Sequence, residues 1–366
     1  MLRDRASLNP FRLRRPTVVS DTSVSRWHAG VVKILPIWRQ AGFYPIPVAT
    51  TRVMLIFLYL RRRSAYKFMR HLMKISDILK NKRTLSFEFF PPRDEQGVER
   101  LFETIDHLKR YEPDFIDITY GAGGSTQRLT VELCVRAYRD SGVTVMGHLT
   151  CSAQTKEMVH SVLKRFESEG IENVILLRGD PPQGEDTFVT AEDGFSHATD
   201  LVQHTKENFD FGIAAACYPE AHPESLDADS DLYYTKMKVE QGAEFLITQL
   251  FYDNEDYYAF VDRARQSGID VPIIPGLMPI LNASQIRRIT SLCGATIPAG
   301  LDRQLERHAD DNRAVRQIGI DHTLRQAQEL MSSDVPGIHF YVLNRRYSIT
   351  KILDNLQGSS VGVTSS

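Results

Sequence analysis

The chain has 366 residues, 42% hydrophobic and 25% charged, with 44 Lys or Arg against 46 Asp or Glu. This is ordinary soluble-globular composition. Four scattered cysteines (Cys134, Cys151, Cys217, Cys293) without a CxxC pair exclude a disulfide framework or a cysteine zinc site and point to a reduced, cytoplasmic compartment. Cys151 and Cys217 end apolar runs and read as small core residues.

The charge is unevenly spread. Residues 1–83 hold 18 of the bases and three of the acids, which leaves 26 bases against 43 acids for the rest. Such asymmetry marks a boundary between a basic arm and an acidic body. Residues 1–70 are Arg-rich and broken by Pro10, Pro16, Pro36, Pro45 and Pro47. The longest apolar run there, Val53–Leu60, has eight residues, well short of the roughly 20 a spanning helix needs. An organelle presequence has this composition, and so has a membrane-surface or polyanion-binding segment. The reading adopted is a disordered extension, or sequence upstream of a working start at Met69 or Met73. The expected divisions are 1–70 for the extension, 71–357 for the folded body and 358–366 for a flexible tail.

From Leu85 onward, apolar runs of strand type alternate with amphipathic stretches. Leu85–Phe90, stopped by Pro91-Pro92, predicts the first strand and Asp94–Arg110 its helix. Phe115–Thr119 predicts the second, followed by a glycine-rich turn and the helix Gln127–Ser141. Thr144–Leu149 and Asn173–Leu177 are the third and fourth, with a helix around Thr155–Glu169 between them. The loop Asp180–Gly194 precedes the helix Ser196–Asn208. Phe211–Cys217 is the fifth strand, with the helix Asp231–Gly242 after it. Phe245–Phe251 and Val271–Pro275 are the sixth and seventh. Asn282–Met331 reads as mostly helical, interrupted near Pro298–Gly300. Gly337–Leu343 is the eighth strand and Tyr347–Leu356 the last helix.

The runs are dense in Ile, Val, Leu and Phe, as parallel strands covered on both faces are. An open doubly wound sheet would alternate in the same way. A nucleotide-binding one should carry GxGxxG after an early strand, and Gly121, Gly123 and Gly124 are misspaced for it. The pattern predicts an α/β fold, a (β/α)8 TIM barrel of the typical length of about 250 residues. Glu88, Thr119, His148, Asp180, Tyr218, Gln249 and Arg345 all fall at or near the C-terminal ends of strands, where barrel active sites are assembled.

Glu88 lies among aromatics, where burial disfavours the carboxylate and raises its pKa into the range of a general acid. Pairing with a basic residue elsewhere at the rim is the competing expectation. Asp180 follows Arg178-Gly179 and either pairs with the arginine or stabilises a cationic intermediate. Gln249 offers donor and acceptor to the edge of a heterocycle. His148 and His222 lack metal-ligand spacing, so no metal is expected. Lys238, seven residues after Asp231, either meets a phosphate or is a solvated surface residue.

Eight motifs occur in one order across about residues 74–357: Ser86–Pro92 (SFEFFPP), Thr119–Gly124 (TYGAGG), Gly147–Thr150 (GHLT), Leu177–Asp180 (LRGD), Tyr218–Glu224 (YPEAHPE), Ile247–Phe251 (ITQLF), Ile274–Gly276 (IPG) and His339–Arg345 (HFYVLNR). Together they resemble methylenetetrahydrofolate reductase. The resemblance implies a flavin barrel that reduces 5,10-methylenetetrahydrofolate with NADH or NADPH by ping-pong hydride transfer through FAD, supplying methyl groups for methionine synthesis. By position, Glu88 matches the family's general acid and Asp180 the aspartate close to flavin and folate. Gln249, Gln285 and Arg345 match folate contacts. Thr119, Tyr120, Ala122, His148, Arg178, Gly179, Asp180, Ala198, Tyr218, His222, Asp231 and Lys238 match positions lining FAD.

His197, Tyr234, Met237 and Ile289 depart from residues common in relatives. The regulatory domain of animal and fungal relatives is not expected after residue 357, nor is inhibition by S-adenosylmethionine. A homo-oligomer is expected, with no nucleic-acid partner and no membrane span. The alternative is a barrel that binds flavin or folate without turnover, in a regulatory or scaffolding role.

Overall fold

The computed structural model describes residues 73–120, 124–180, 188 and 190–360. The expected arm, Ala122 and residues 361–366 lie outside the described residues.

The strands are β1 (Thr84–Phe89), β2 (Phe115–Ile118), β3 (Thr144–Thr150), β4 (Asn173–Leu177), β5 (Gly212–Cys217), β6 (Phe245–Thr248), β7 (Ile273–Ile274), β8 (Gly276–Leu277) and β9 (Gly337–Tyr341). They pair in the order β7-β6-β5-β4-β3-β2-β1-β9-β8, all parallel. They are buried almost throughout, which is why their sequences read as unbroken apolar runs.

β7 and β8 are two halves of one stave, parted at Pro275, which has no N–H to give to a ladder. β7 pairs with β6 and β8 with β9, so the seam of the expected (β/α)8 barrel falls at the proline. The Gly276 amide donates to Thr248 Oγ1 (2.9 Å) and the His339 amide to the Pro275 carbonyl (3.0 Å). The expected seventh strand, Val271–Pro275, is corrected accordingly. The sixth and eighth end earlier than expected, at Thr248 and Tyr341.

The helices are α1 (Ile75–Leu79), α2 (Glu95–Leu108), α3 (Gly124–Ser141), α4 (Lys156–Ser168), α5 (Ala198–Asn208), α6 (Ala228–Glu240), α7 (Asn254–Gln266), α8 (Ala283–Cys293), α9 (Ala299–Arg307), α10 (Asn312–Ser332) and α11 (Arg346–Ser360). Caps set several starts: Asp94, Thr155, Asp227, Asp253, Asn282 and Asp311 each accept an amide from the first turn. The Asp227 cap starts α6 at Ala228, three residues ahead of the expected Asp231. The helical stretch 282–331 is three helices, α8 ending at left-handed Gly294 (φ 75°). α11 runs to Ser360, past the expected end at Leu356 and into the tail. No helix among the described residues is long and apolar enough to cross a membrane.

Alternation along each strand sorts its side chains. Outward-facing Phe87, Phe89, Ile116, Ile118, Val145 and Val174 join the core under the helices. Inward-facing Phe115, Met146, Ile175, Ala214, Phe245, Ile247 and Ile274 fill the barrel axis together with Ile75 of α1. α1 plugs the N-terminal end of the barrel: the Ile75 amide donates to Asn173 Oδ1 (2.7 Å) and Ser76 Oγ to Glu244 Oε2 (2.6 Å). One quadrant of the interior is polar instead. Ser86 and Glu88 of β1, Asp117 of β2, His148 of β3, and His339 and Tyr341 of β9 take the inward positions there, with Glu88 in register with both Asp117 and Tyr341.

Candidate active site

The C-terminal ends of the strands open on a cavity of about 1800 Å³. Glu88 reaches it from the polar quadrant, 8% exposed. The aromatic surroundings expected from sequence are not what its carboxylate meets, because Phe87 and Phe89 face the other way. Its Oε2 lies 3.7 Å from Nε2 of His148 and 3.7 Å from Nε2 of His339. His148 Nε2 is also 3.7 Å from Asp117 Oδ2.

These are charge contacts, too long for hydrogen bonds. Both Asp117 oxygens, both His148 nitrogens and His339 Nε2 lack a hydrogen-bond partner among the described residues. His339 is fixed by Ser86 Oγ at 2.9 Å from its Nδ1 and by stacking on Phe115. Burial pulls the His148 pKa down, but nearby Asp117, helped by Glu88, outweighs it and holds the imidazole above its ordinary value. Glu88, Asp117 and His339 each place one ligand atom within 4.8 Å of the others, a donor set that a divalent cation accepts.

The opposite side of the cavity carries positive groups. Arg178, just after β4, donates both guanidinium nitrogens to Glu224 (2.6 and 2.7 Å) and lies 4.9 Å from the centre of the Phe188 ring. That pairing raises the arginine pKa and lowers the glutamate's. Gly179 is left-handed (φ 87°), and a Cβ on it would lie 2.9 Å from Thr150 Cβ. Only glycine meets both demands without strain. The turn lays exposed Asp180 at the cavity, its carbonyl accepting from Ser152 Oγ (2.8 Å).

Tyr218 meets His222 edge-on, ring centres 4.7 Å apart. Burial raises the Tyr218 pKa and lowers that of His222. His222 Nδ1 accepts the Glu224 amide (3.1 Å), so a neutral ring carries its proton on Nε2. Asp231 is buried on α6 and accepts from Ser225 Oγ (3.3 Å). Two turns on, Lys238 donates to the Ala216 carbonyl, and burial lowers its pKa. It is therefore an inward residue, not a solvated surface one. Tyr120 donates to Gln154 Oε1 (3.1 Å), and the Thr119 amide donates to the Phe89 carbonyl (2.8 Å). His197, Ala198 and Thr199 bring the N-terminus of α5 to the cavity wall, a place that favours anions.

Gln249 follows β6, its Oε1 accepting the Leu250 amide (2.8 Å), and lines the same cavity. So do Gln285 in the first turn of α8 and Arg345 just before α11. The structure thus brings together every sequence-predicted site residue that it describes; only Ala122 lies outside. Of the four departures, His197, Tyr234 and Ile289 also line the cavity, and Met237 is not among its residues.

Sequence reasoning missed Asp117, His339 and Tyr341. It looked only at strand ends, and Asp117 stands inside the short run FIDI. A carboxylate in a strand covered on both faces was the available signal.

The family profile described as "Methylenetetrahydrofolate reductase" matches residues 73–357. The chain is 43% identical over 300 residues to "Methylenetetrahydrofolate reductase (NADH) 1" of Arabidopsis thaliana, covering 78% of this chain and 51% of that protein. It is 36% identical over 262 residues to "5,10-methylenetetrahydrofolate reductase" of Escherichia coli, covering 71% and 86%. The chain spans about half the length of the plant relatives it matches. Among solved structures, an uncharacterised Clostridium thermocellum protein that binds two copies of 5-methyl-5,6,7,8-tetrahydrofolic acid aligns with TM-score 0.50 at 15% identity, covering 78% of this chain and 99% of that one. That likeness speaks for the fold. With the profile and the relatives agreeing, the chain belongs to the methylenetetrahydrofolate reductase family.

Proposed function

We propose that this chain reduces 5,10-methylenetetrahydrofolate to 5-methyltetrahydrofolate in two alternating half-reactions, with NADH as reductant and FAD bound in the cavity. The observation that carries the reading is the pairing of functions in one space. Glu88, a carboxyl beside two imidazoles, shares the cavity with Arg178, Lys238 and the N-terminus of α5.

The residues fit a flavin dinucleotide. Arg178, Lys238 and the α5 amides offer charge and donors to a diphosphate, and the left-handed Gly179 turn brings Asp180 to the cavity beside them. Thr119, Tyr120, Ala122, His148, Asp180, Ala198, Tyr218, His222 and Asp231 complete the proposed wall. When bound, FAD supplies a two-electron carrier that takes a hydride from the nicotinamide and yields it to the folate.

Glu88 gives its proton to the folate N10 as the five-membered ring opens and leaves a cation centred on N5. The Asp180 carboxylate at the cavity favours that cation. Gln249 presents donor and acceptor to the pterin edge. Gln285 and Arg345 hold the remainder, the guanidinium suiting a carboxylate. The product would serve methionine synthesis. A cytoplasmic location, supported by free and mostly buried cysteines, and self-association through the helical exterior belong to the same reading. A non-catalytic binding barrel would have no use for Glu88, Asp180 and Gln249 held together.

The test is the visible spectrum of the purified protein under anaerobic conditions. Flavin bands that bleach with NADH and return with methylenetetrahydrofolate are the expected result. A protein that neither holds nor takes up FAD overturns the reading and favours the binding barrel.

A further inference from the structure

Asp117 has no part in the function proposed above. It is fully buried, in register with Glu88 on the neighbouring strand, and neither oxygen has a hydrogen-bond partner among the described residues. Barrel interiors are built of packed apolar side chains, and an unpartnered buried carboxylate is costly. Both His148 nitrogens and His339 Nε2 are buried and unpartnered in the same sense. Glu88, Asp117, His148 and His339 take inward positions on four consecutive staves of the barrel, β3-β2-β1-β9. No spacing motif announces the set, because its donors stand singly on four strands.

We propose that these four side chains form a zinc site, and that an ion bound there shuts off the folate step. Ligands about 2.0–2.2 Å from a tetrahedral zinc lie roughly 3.3–3.6 Å from one another. His148 Nε2 is 3.7 Å from Glu88 Oε2 and 3.7 Å from Asp117 Oδ2, and His339 Nε2 is 3.7 Å from Glu88 Oε2. These gaps are too long for hydrogen bonds and close to the spacing of ligands around one ion. The Glu88, Asp117 and His339 donor atoms all lie within 4.8 Å of each other. Two imidazoles with two carboxylates suit zinc better than magnesium or calcium, which take oxygen ligands.

The charge balance points the same way. Among the described residues no lysine or arginine pairs with Glu88 or Asp117, so a divalent cation would neutralise both carboxylates. His339 is aimed as a ligand is: Ser86 Oγ donates to the Ile338 carbonyl (3.4 Å) and accepts from His339 Nδ1 (2.9 Å), which leaves the Nε2 lone pair toward the site. Glu88 and His148 line the cavity and give an ion its way in. The consequence rests on Glu88 as the proton donor of the folate step. As the Zn–O bond forms, the Glu88 O–H bond breaks and its proton leaves to water. A zinc-held carboxylate then has no proton to give to the folate nitrogen.

The test titrates the FAD-loaded protein, stripped with EDTA and freed of the chelator, with zinc chloride in a calorimeter. A single ion per chain should bind. Asp117→Asn and His339→Gln should each lose that uptake, and Ser86→Ala, which unfastens the His339 ring, should weaken it about 10–100-fold. His204→Gln, which breaks the ring contact with His160 on the outer helices (3.2 Å), should leave it unchanged. Cobalt(II) chloride should give the native protein the visible bands of a four-coordinate ion, and that spectrum decides should the ligand variants fail to hold flavin. Absent uptake, uptake that survives both ligand variants, or uptake lost in His204→Gln overturns the proposal. Bound zinc should stop the folate half-reaction, leave the nicotinamide half-reaction running and be reversed by EDTA; a folate rate indifferent to bound zinc overturns the shut-off. A metal-free protein without folate turnover defeats the proposed function instead, while the calorimetry still judges the site.

Discussion

Replacing Glu88 with Gln preserves shape and removes only the exchangeable proton. The nicotinamide half-reaction should continue, while the folate half-reaction falls by roughly 100-fold or more, the scale of a lost general acid. Stopped-flow absorbance separates the two, and equal loss of both would refute the acid role. Glu88 was legible in the sequence because a strand ending in Pro91-Pro92 announces its own C-terminal rim. Its environment was not, since flanking residues in a strand face the opposite side. Asp117 stayed hidden for a related reason: a single acid in an apolar run looks like noise until the partner strands place it beside Glu88.

Among elements, α10 carries a residue at which two general rules disagree. Gly319 lies inside the helix, where alanine is ordinarily better by roughly 0.8–1.0 kcal/mol. A Cβ there, however, would lie 2.2 Å from the Ile280 carbonyl oxygen. Overpacking of that kind costs about 1–3 kcal/mol, so Gly319→Ala should lower the thermal midpoint. A rise in a thermal melt would show that the loop before α8 yields freely. Amphipathic spacing made most helices readable to within a few positions. α7 escaped because only Tyr257, Phe260 and Ala264 mark its apolar buried face, amid a run of charges. The split stave escaped because a proline inside a short apolar run reads as its end.

For the whole molecule, the alternation of runs and amphipathic stretches was enough to give the barrel, but nothing in it revealed the plug. Ile75 of α1 is fully buried in the axial core. A chain begun at Met69 should therefore keep its flavin and its cooperative melt, whereas one begun at Lys80 should lose both. Ile75→Ala alone should cost about 2–5 kcal/mol, measurable by denaturant unfolding.

The stability of the whole should also depend on pH through half-buried imidazoles. Burial lowers the pKa of His204 and of His322 below 6.5. The unfolded chain then binds more protons, so stability is lost as pH falls through about 6.5 toward the folded values. His148, raised, works in the opposite sense: its contribution is full below its ordinary value and fades as pH rises through the folded one. Thermal melts should show the acid-side loss, and His322→Gln should flatten it; an unchanged slope would remove His322 from the account.

The break at Pro275 gives the barrel a clasp. Six of its seams are ladders that register four or five residue pairs, but the two beside the proline register two pairs each. Opening there costs the fewest bonds, so thermal breathing should begin at this stave and leave the other seams zipped. Hydrogen exchange would report it as early labelling at Ile274 and Leu277 while the β3 amides remain dark. The clasp adjoins Thr248 and Tyr341, which are themselves joined across the seam by a 2.6 Å hydrogen bond. Each breath would therefore loosen the wall that carries Gln249, two strands along the ring from the Arg178 turn.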